Sequence, residues 1–311
     1  MRPAGSILLL TTLSGFGFGL LAWAGGYVCL EHLPGPRRLA VAAVALGLLL
    51  VSIGLAASVL HLGRKARAWR AFSQWRSSWL SREGVGGVLV YPLAALFVAA
   101  IRRDGYGLLT RSLGAAVVAV SLATVLCTAM VYASLKPIRQ WHNPHTAPDY
   151  LIYAVFCGAL LFALLRTALL GQPGFTALIA AGMGAVAMLA KGAYWRHVDA
   201  QTPLAGLAAA IGLPKGAEAR PLDAPHFTEN YVLREMGFVV ARRHSAKLRR
   251  FALALGFVAP IGLALLASLG VAPLRATAVA LVCSFLGLLT ERWLFFAEAT
   301  HVSALYYGRS I

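Results

Sequence analysis

The sequence predicts an all-α integral membrane protein, a polytopic bundle of eight transmembrane helices forming a single membrane domain over 1–311. Three observations carry that reading. Of the 311 residues, 59% are hydrophobic and only 13% charged, about half the charged share of a soluble domain. So little polar surface cannot coat a water-soluble globule, and a mean hydropathy of +0.73 excludes disorder. The apolar residues are gathered into runs long enough to cross a hydrocarbon core of ~30 Å, with short charged stretches between them.

The first run, 6–30, follows a weak basic start at Arg2 and ends without a small-residue cleavage pattern. It is expected to be a membrane helix rather than a signal peptide. Runs at 39–61, 85–101 and 112–134 follow, the second of these short and carrying Pro92. The runs at 150–170 and 174–194 are separated only by Gly171-Gln172-Pro173, a tight turn between antiparallel helices. Runs at 251–271 and 275–299 complete the eight. Gly15, Gly17 and Gly19 in the first run, and Ala181, Gly182 and Gly184 in the sixth, allow close helix approach. The four cysteines fall in apolar runs without CxxC spacing. Neither a disulfide framework nor a zinc site is expected, and the thiols read as small packing residues.

The charge is asymmetric as well as large, with 28 Lys and Arg against 11 Asp and Glu. In a soluble chain that excess would suggest nucleic acid. In a membrane chain it is the signature of cytoplasmic loops, and no nucleic-acid role is expected. Threading the eight runs places twenty Lys and Arg on the side of the termini and six on the other, with Arg166 and Arg292 inside runs. Both termini and the basic loops are therefore expected on the cytoplasmic side of the membrane. Seven of the eight histidines share that side.

Chemistry concentrates in the segment 62–84 and its flanks. Trp69, Phe72, Trp75 and Trp79 recur every three or four residues among arginines. An amphipathic interfacial helix is expected, with Trp at headgroup depth and Arg reaching outward. His61 and Glu83 stand at its two boundaries with the spans, where ionisable groups are paired or functional. A histidine can hydrogen-bond one oxygen of a quinone headgroup, and a partly buried carboxylate can carry the proton that accompanies the electrons. Arg64, Trp75, Trp79 and Arg82 would wall such a site. A structural cap at His61 and an interfacial anchor for the tryptophans are the bland alternatives.

His61-Leu62-Gly63, followed twenty-two residues after the histidine by Glu83, resembles the membrane-anchor subunits of dimethyl-sulfoxide-reductase-type molybdoenzyme complexes. The stretches 132–143, 230–237 and 291–301 are similar to the same family, so the resemblance spans nearly the whole chain. It implies an anchor that binds quinone or quinol, ubiquinone or menaquinone, with His61 and Glu83 at the site. It implies partners forming a heterotrimer: an iron–sulfur subunit with four clusters, and a catalytic subunit with molybdenum bis(molybdopterin guanine dinucleotide). The family contains quinol-oxidising dimethyl sulfoxide reductases and quinone-reducing sulfite dehydrogenases. The Trp/Arg-rich 64–82 stretch resembles the second branch, and the cytoplasmic orientation favours it.

Other groups remain to be placed. Glu291, Glu298 and His301 share a helical arc in the eighth run, read as an ion pair of Arg292 with Glu298 or a neighbouring helix, or as a proton path or a second wall of the quinone pocket. Trp141–His145 reads as a capped loop at the headgroup layer, with an interface plug or a pocket lid as the functional alternatives. The loop 195–250 is basic and amphipathic over 231–250, suited to anionic lipid or to a docking partner. A b haem would need His61 and His301 as ligands and is not favoured. A secondary transporter, or an anchor without quinone chemistry, are the competing functional classes.

Overall fold

The computed structural model describes residues 4–30, 36–60, 65–201, 208, 211–214, 217, 219 and 240–302, with the side chains of 60, 65–67 and 240–243 excepted. The described residues form eight long helices and no strand. They are α1 (Gly5–Cys29), α2 (Arg37–Leu60), α3 (Trp79–Asp104), α4 (Leu108–Ala133), α5 (Thr146–Leu170), α6 (Phe175–Asp199), α7 (residues 240–268) and α8 (Pro273–Ala297). Each is long and apolar enough to cross a membrane.

α1 lies at the centre. It packs on α2, α4, α5 and α8, and it is apolar on every side, as a helix surrounded by others must be. The crossings are made by glycine. A Cβ on Gly19 would collide with the backbone of Ala154 in α5, and one on Gly158 would collide with Gly19. Hydrophobic transfer gives nothing between helices already in lipid, so close van der Waals contact is what holds them.

α7 is not uniform. Val240–Leu253 is α-helical, Ala254–Val258 is a π turn, and Ala259–Ser268 resumes the α form. Pro260 supplies the cause: it lacks an N–H, and its ring would clash with the carbonyl four residues back in a regular helix. The widened turn presents Gly256 to Gly287 of α8, backbone against backbone.

The helices run alternately, so two ends can be named. The basic end holds the starts of α1, α3, α5 and α7 and the finishes of α2, α4, α6 and α8. The opposite end is tied by Arg37 to the Arg102 carbonyl (3.3 Å) and by Arg38 to the Leu169 carbonyl (3.2 Å).

Candidate functional site at the basic end

The segment between α2 and α3 differs from the expected continuous amphipathic helix. Only Lys65–Phe72 is helical, in the 3-10 form, and residues 73–77 are turns. Trp79, Arg82 and Glu83 belong to α3, which starts at Trp79. Ser78 caps it by accepting from the Ser81 amide, one of the donors a helix start leaves unpaired. Phe72 lies over Gly84, bringing the 3-10 turn onto α3.

Arg82 and Glu83 are neighbours facing opposite ways. Arg82 donates to the carbonyls of Trp75 (3.0 Å) and Arg76 (2.7 Å), and its guanidinium sits 4.3 Å from the Trp79 ring centroid. It therefore holds the turn and Trp79 as one unit, while Trp75 stays 52% exposed. Glu83 is buried. The inner stripe of α3 runs through positions 83, 87, 90, 94, 97 and 101, three or four apart as a buried helix face requires. Glu83 opens that stripe, and the matching stripe of α4 closes with Thr128 and Ala129. The Thr128 hydroxyl donates to Glu83 Oε1 at 2.9 Å, within a buried contact.

Thr128 also lines a cavity of about 30 Å³ shared with Thr12, Tyr150, Tyr153 and Arg292. Behind it lies a buried ionic cluster. Lys191 Nζ meets Glu291 Oε1 at 2.5 Å, and Arg292 Nε meets Glu291 Oε2 at 2.8 Å. Aromatic rings enclose both cations: Tyr194 lies 3.8 Å from Lys191 Nζ, and Tyr150 lies 4.0 Å from Arg292 Cζ. The ring faces offset part of the desolvation that burying cations costs. Asp149, in the first turn of α5, adds a second buried carboxylate within the field of Lys191 and Arg292.

The loop before α5 seals this end. Trp141 is buried and donates to the Phe295 carbonyl at 2.9 Å. It packs with Tyr132, Phe295 and Phe296. Gln140 and Thr300 bond reciprocally, at 2.7 and 3.2 Å. Outside the plug, Arg249 grips both oxygens of Glu298 at 3.0 Å and also reaches Asp199 at 2.7 Å.

Several expectations change. α8 ends at Ala297, so Glu298 caps it and His301 lies beyond it rather than on one arc with Glu291. Arg292 pairs with Glu291, and Glu298 pairs with Arg249, in place of an Arg292–Glu298 pair. Lys191, one of the twenty charges assigned to the side of the termini, is buried in α6, which leaves the charge asymmetry nineteen to six. His61 and Arg64 lie outside the described residues, as do residues 231–239 of the basic loop. Among the described residues no three His, Cys, Asp or Glu side chains converge as metal ligands would. Thr12, Thr128, Asp149, Tyr150, Tyr153 and Lys191 join the site only through the fold. The one local signal among them is Lys191, a charge inside an apolar run.

Two comparisons bear on this arrangement. Residues 6–308 match the family described as DMSO reductase anchor subunit (DmsC). A sulfite dehydrogenase subunit of Allochromatium vinosum is 34% identical, over 99% of this chain and 99% of that one. The eight helices and the match along nearly their whole length lead to one conclusion: the chain belongs to the family of DMSO reductase membrane-anchor subunits.

Proposed function

We propose that this chain is the quinone-reactive anchor of a molybdenum–iron–sulfur oxidoreductase, working in the direction of quinone reduction as a sulfite dehydrogenase would. The observation that carries the reading is Glu83, a buried carboxylate at the basic end that accepts a hydrogen bond from the Thr128 hydroxyl. An acid so placed is kept for a purpose, since an unmatched carboxylate in a membrane bundle is costly. The similarity to a sulfite dehydrogenase subunit supports the direction.

Quinone reduction takes up two electrons and two protons. Glu83 delivers one proton to a ring oxygen, and His61, hydrogen-bonded to the other oxygen, delivers the second. Arg64, Trp75, Trp79 and Arg82 form the wall on the water side. Arg82 already spends donors on Trp75 and Arg76, so its part is to fix the tryptophan face. The cavity beside Thr128 is water-sized, so the ring approaches Glu83 from the side of residues 65–72, whose Phe72 lies over Gly84. Ubiquinone and menaquinone both meet these requirements.

Electrons arrive from a four-cluster iron–sulfur subunit, itself fed by a molybdenum bis(molybdopterin guanine dinucleotide) subunit. The partners dock on the basic loops, which lie in the cytoplasm of a bacterium with the helices in its inner membrane. A quinol-oxidising dimethyl sulfoxide reductase anchor is the second reading, favoured by the family description. It uses the same residues with proton flow reversed.

The test is Glu83→Gln in the purified complex. Quinone-linked turnover falls ~100-fold or more, while reduction of an artificial dye and co-purification of molybdenum and iron persist. Unchanged quinone turnover would exclude a role for Glu83 in proton transfer.

A further inference from the structure

Four polar atoms at the small cavity behind Thr128 make no well-formed hydrogen bond among the described residues. Thr12 Oγ1, the Tyr150 and Tyr153 hydroxyls and Arg292 Nη1 are buried without a hydrogen-bond partner of good geometry. All four residues line that one cavity. Buried polar atoms in native proteins are almost always satisfied, by protein or by water.

Thr12 is the sharpest of the four. A threonine in a helix ordinarily returns its hydroxyl to its own helix, to the carbonyl four residues back. Thr11 does so to Ile7 (2.9 Å), and Ser14 does so to Leu10 (2.6 Å). Thr12, between them, does not. A volume of about 30 Å³ exceeds what one water needs, and water in such a place makes about three hydrogen bonds.

We propose that this cavity is a built water site that returns protons to Glu83 through the Thr128 hydroxyl. The proposal rests on the quinone reading of Glu83. Thr128 is the hinge of the argument: it lines the cavity and it donates to Glu83. The far end of the chain is Asp149, which stands four residues before Tyr153 on the same face of α5. Its Oδ1 is also buried and unbonded.

The proton balance is simple. After Glu83 has protonated the reduced quinone, its carboxylate takes the Thr128 hydroxyl proton. The Thr128 oxygen takes one from the cavity water. The water takes one from Tyr153, and Tyr153 takes one from the Asp149 carboxyl. Each O–H bond broken is matched by one formed, no electron moves, and the net result is one proton carried from Asp149 to Glu83. Asp149 recovers its proton at the basic end.

The test compares Thr128→Val, Thr128→Ser, Tyr153→Phe and Glu83→Gln in the assembled complex, in H₂O and in D₂O. Thr128→Val and Tyr153→Phe lower quinone-linked kcat at least ~10-fold, with the quinone KM and dye-linked rate unchanged and a larger solvent isotope effect. Thr128→Ser, which keeps the hydroxyl, restores the wild-type rate. The Thr128→Val/Tyr153→Phe double variant is no slower than the worse single one, because the two act in series. Wild-type kcat and isotope effect in Thr128→Val and Tyr153→Phe, beside a crippled Glu83→Gln, would overturn the relay and leave the quinone site standing. Wild-type kcat in all of them, Glu83→Gln included, would overturn both.

Discussion

The two ends of the bundle solve opposite problems. At the basic end, α3, α5, α6 and α8 bury five charged side chains, those of Glu83, Asp149, Lys191, Glu291 and Arg292. The three from Lys191 to Arg292 are ion-paired and ringed by aromatics. At the opposite end lies an apolar cleft of about 320 Å³ between α1, α4, α5 and α6, lined by Trp23, Tyr27, Phe162 and Phe175. Its cation, Arg166, is only half-buried and has no ion pair among the described residues. The cleft continues through Leu122 and Val155 into a second apolar hollow of about 310 Å³. An apolar groove can be filled by lipid tails at little cost, whereas buried charges demand partners placed by several helices at once. The basic end is therefore the more constrained of the two, and the less tolerant of change.

The largest expected effect tests that contrast directly. Glu291→Gln leaves Lys191 and Arg292 as two buried cations without their shared carboxylate, and should cost about 3–5 kcal/mol. Arg166→Gln at the opposite end should stay within about 1 kcal/mol, because it removes no ion pair among the described residues. Thermal unfolding of the detergent-solubilised complex reads both. Equal losses would break the comparison.

A smaller effect separates the buried cluster from the rim. Arg249→Ala removes the contacts to Glu298 and Asp199, in a group whose side chain is 21% exposed. Its cost should be about 1 kcal/mol and should fade as salt rises, as exposed pairs do. A loss insensitive to salt would move Arg249 into the buried class.

The smallest effect is on pH dependence. His145 stands just before α5 with its ring 5.2 Å from that of His197. Burial first, and the neighbouring histidine second, hold its pKa below the ordinary 6.5. The folded state thus binds fewer protons than the unfolded state, so stability falls as pH drops through about 6.5 and levels off below the lowered folded value. His145→Gln should flatten that part of the stability curve, and an unchanged slope would assign it to another group.

How much is legible in the sequence depends on the reach of each signal. The run 150–170 announces α5 because a long apolar stretch is a local property that lipid selects directly. Glu83 is visible for a related reason: an acid beside a span is conspicuous, and position 83 falls in phase with the buried stripe of α3. The extent of the interfacial helix is not legible in the same way. Tryptophan spacing is satisfied equally by a 3-10 turn followed by the start of α3, with Ser78 as the cap between them. The partner of Arg292 is hidden too, because Glu298 is the acid a helical arc suggests, whereas the arc stops at Ala297.

The sequence by itself determined the eight spans, the lopsided charge and the region in which an acid is buried. These follow from transfer of single residues between water and lipid, which adds up along a chain. Only the tertiary structure decided that Glu83 meets Thr128, that Glu291 is shared by Lys191 and Arg292, and that four polar atoms without a well-formed hydrogen bond surround one water-sized cavity. Those contacts join residues far apart in the chain across helix crossings set by glycine. Close packing and hydrogen-bond direction select one rotation of each helix, and no local pattern records which residues that rotation brings face to face.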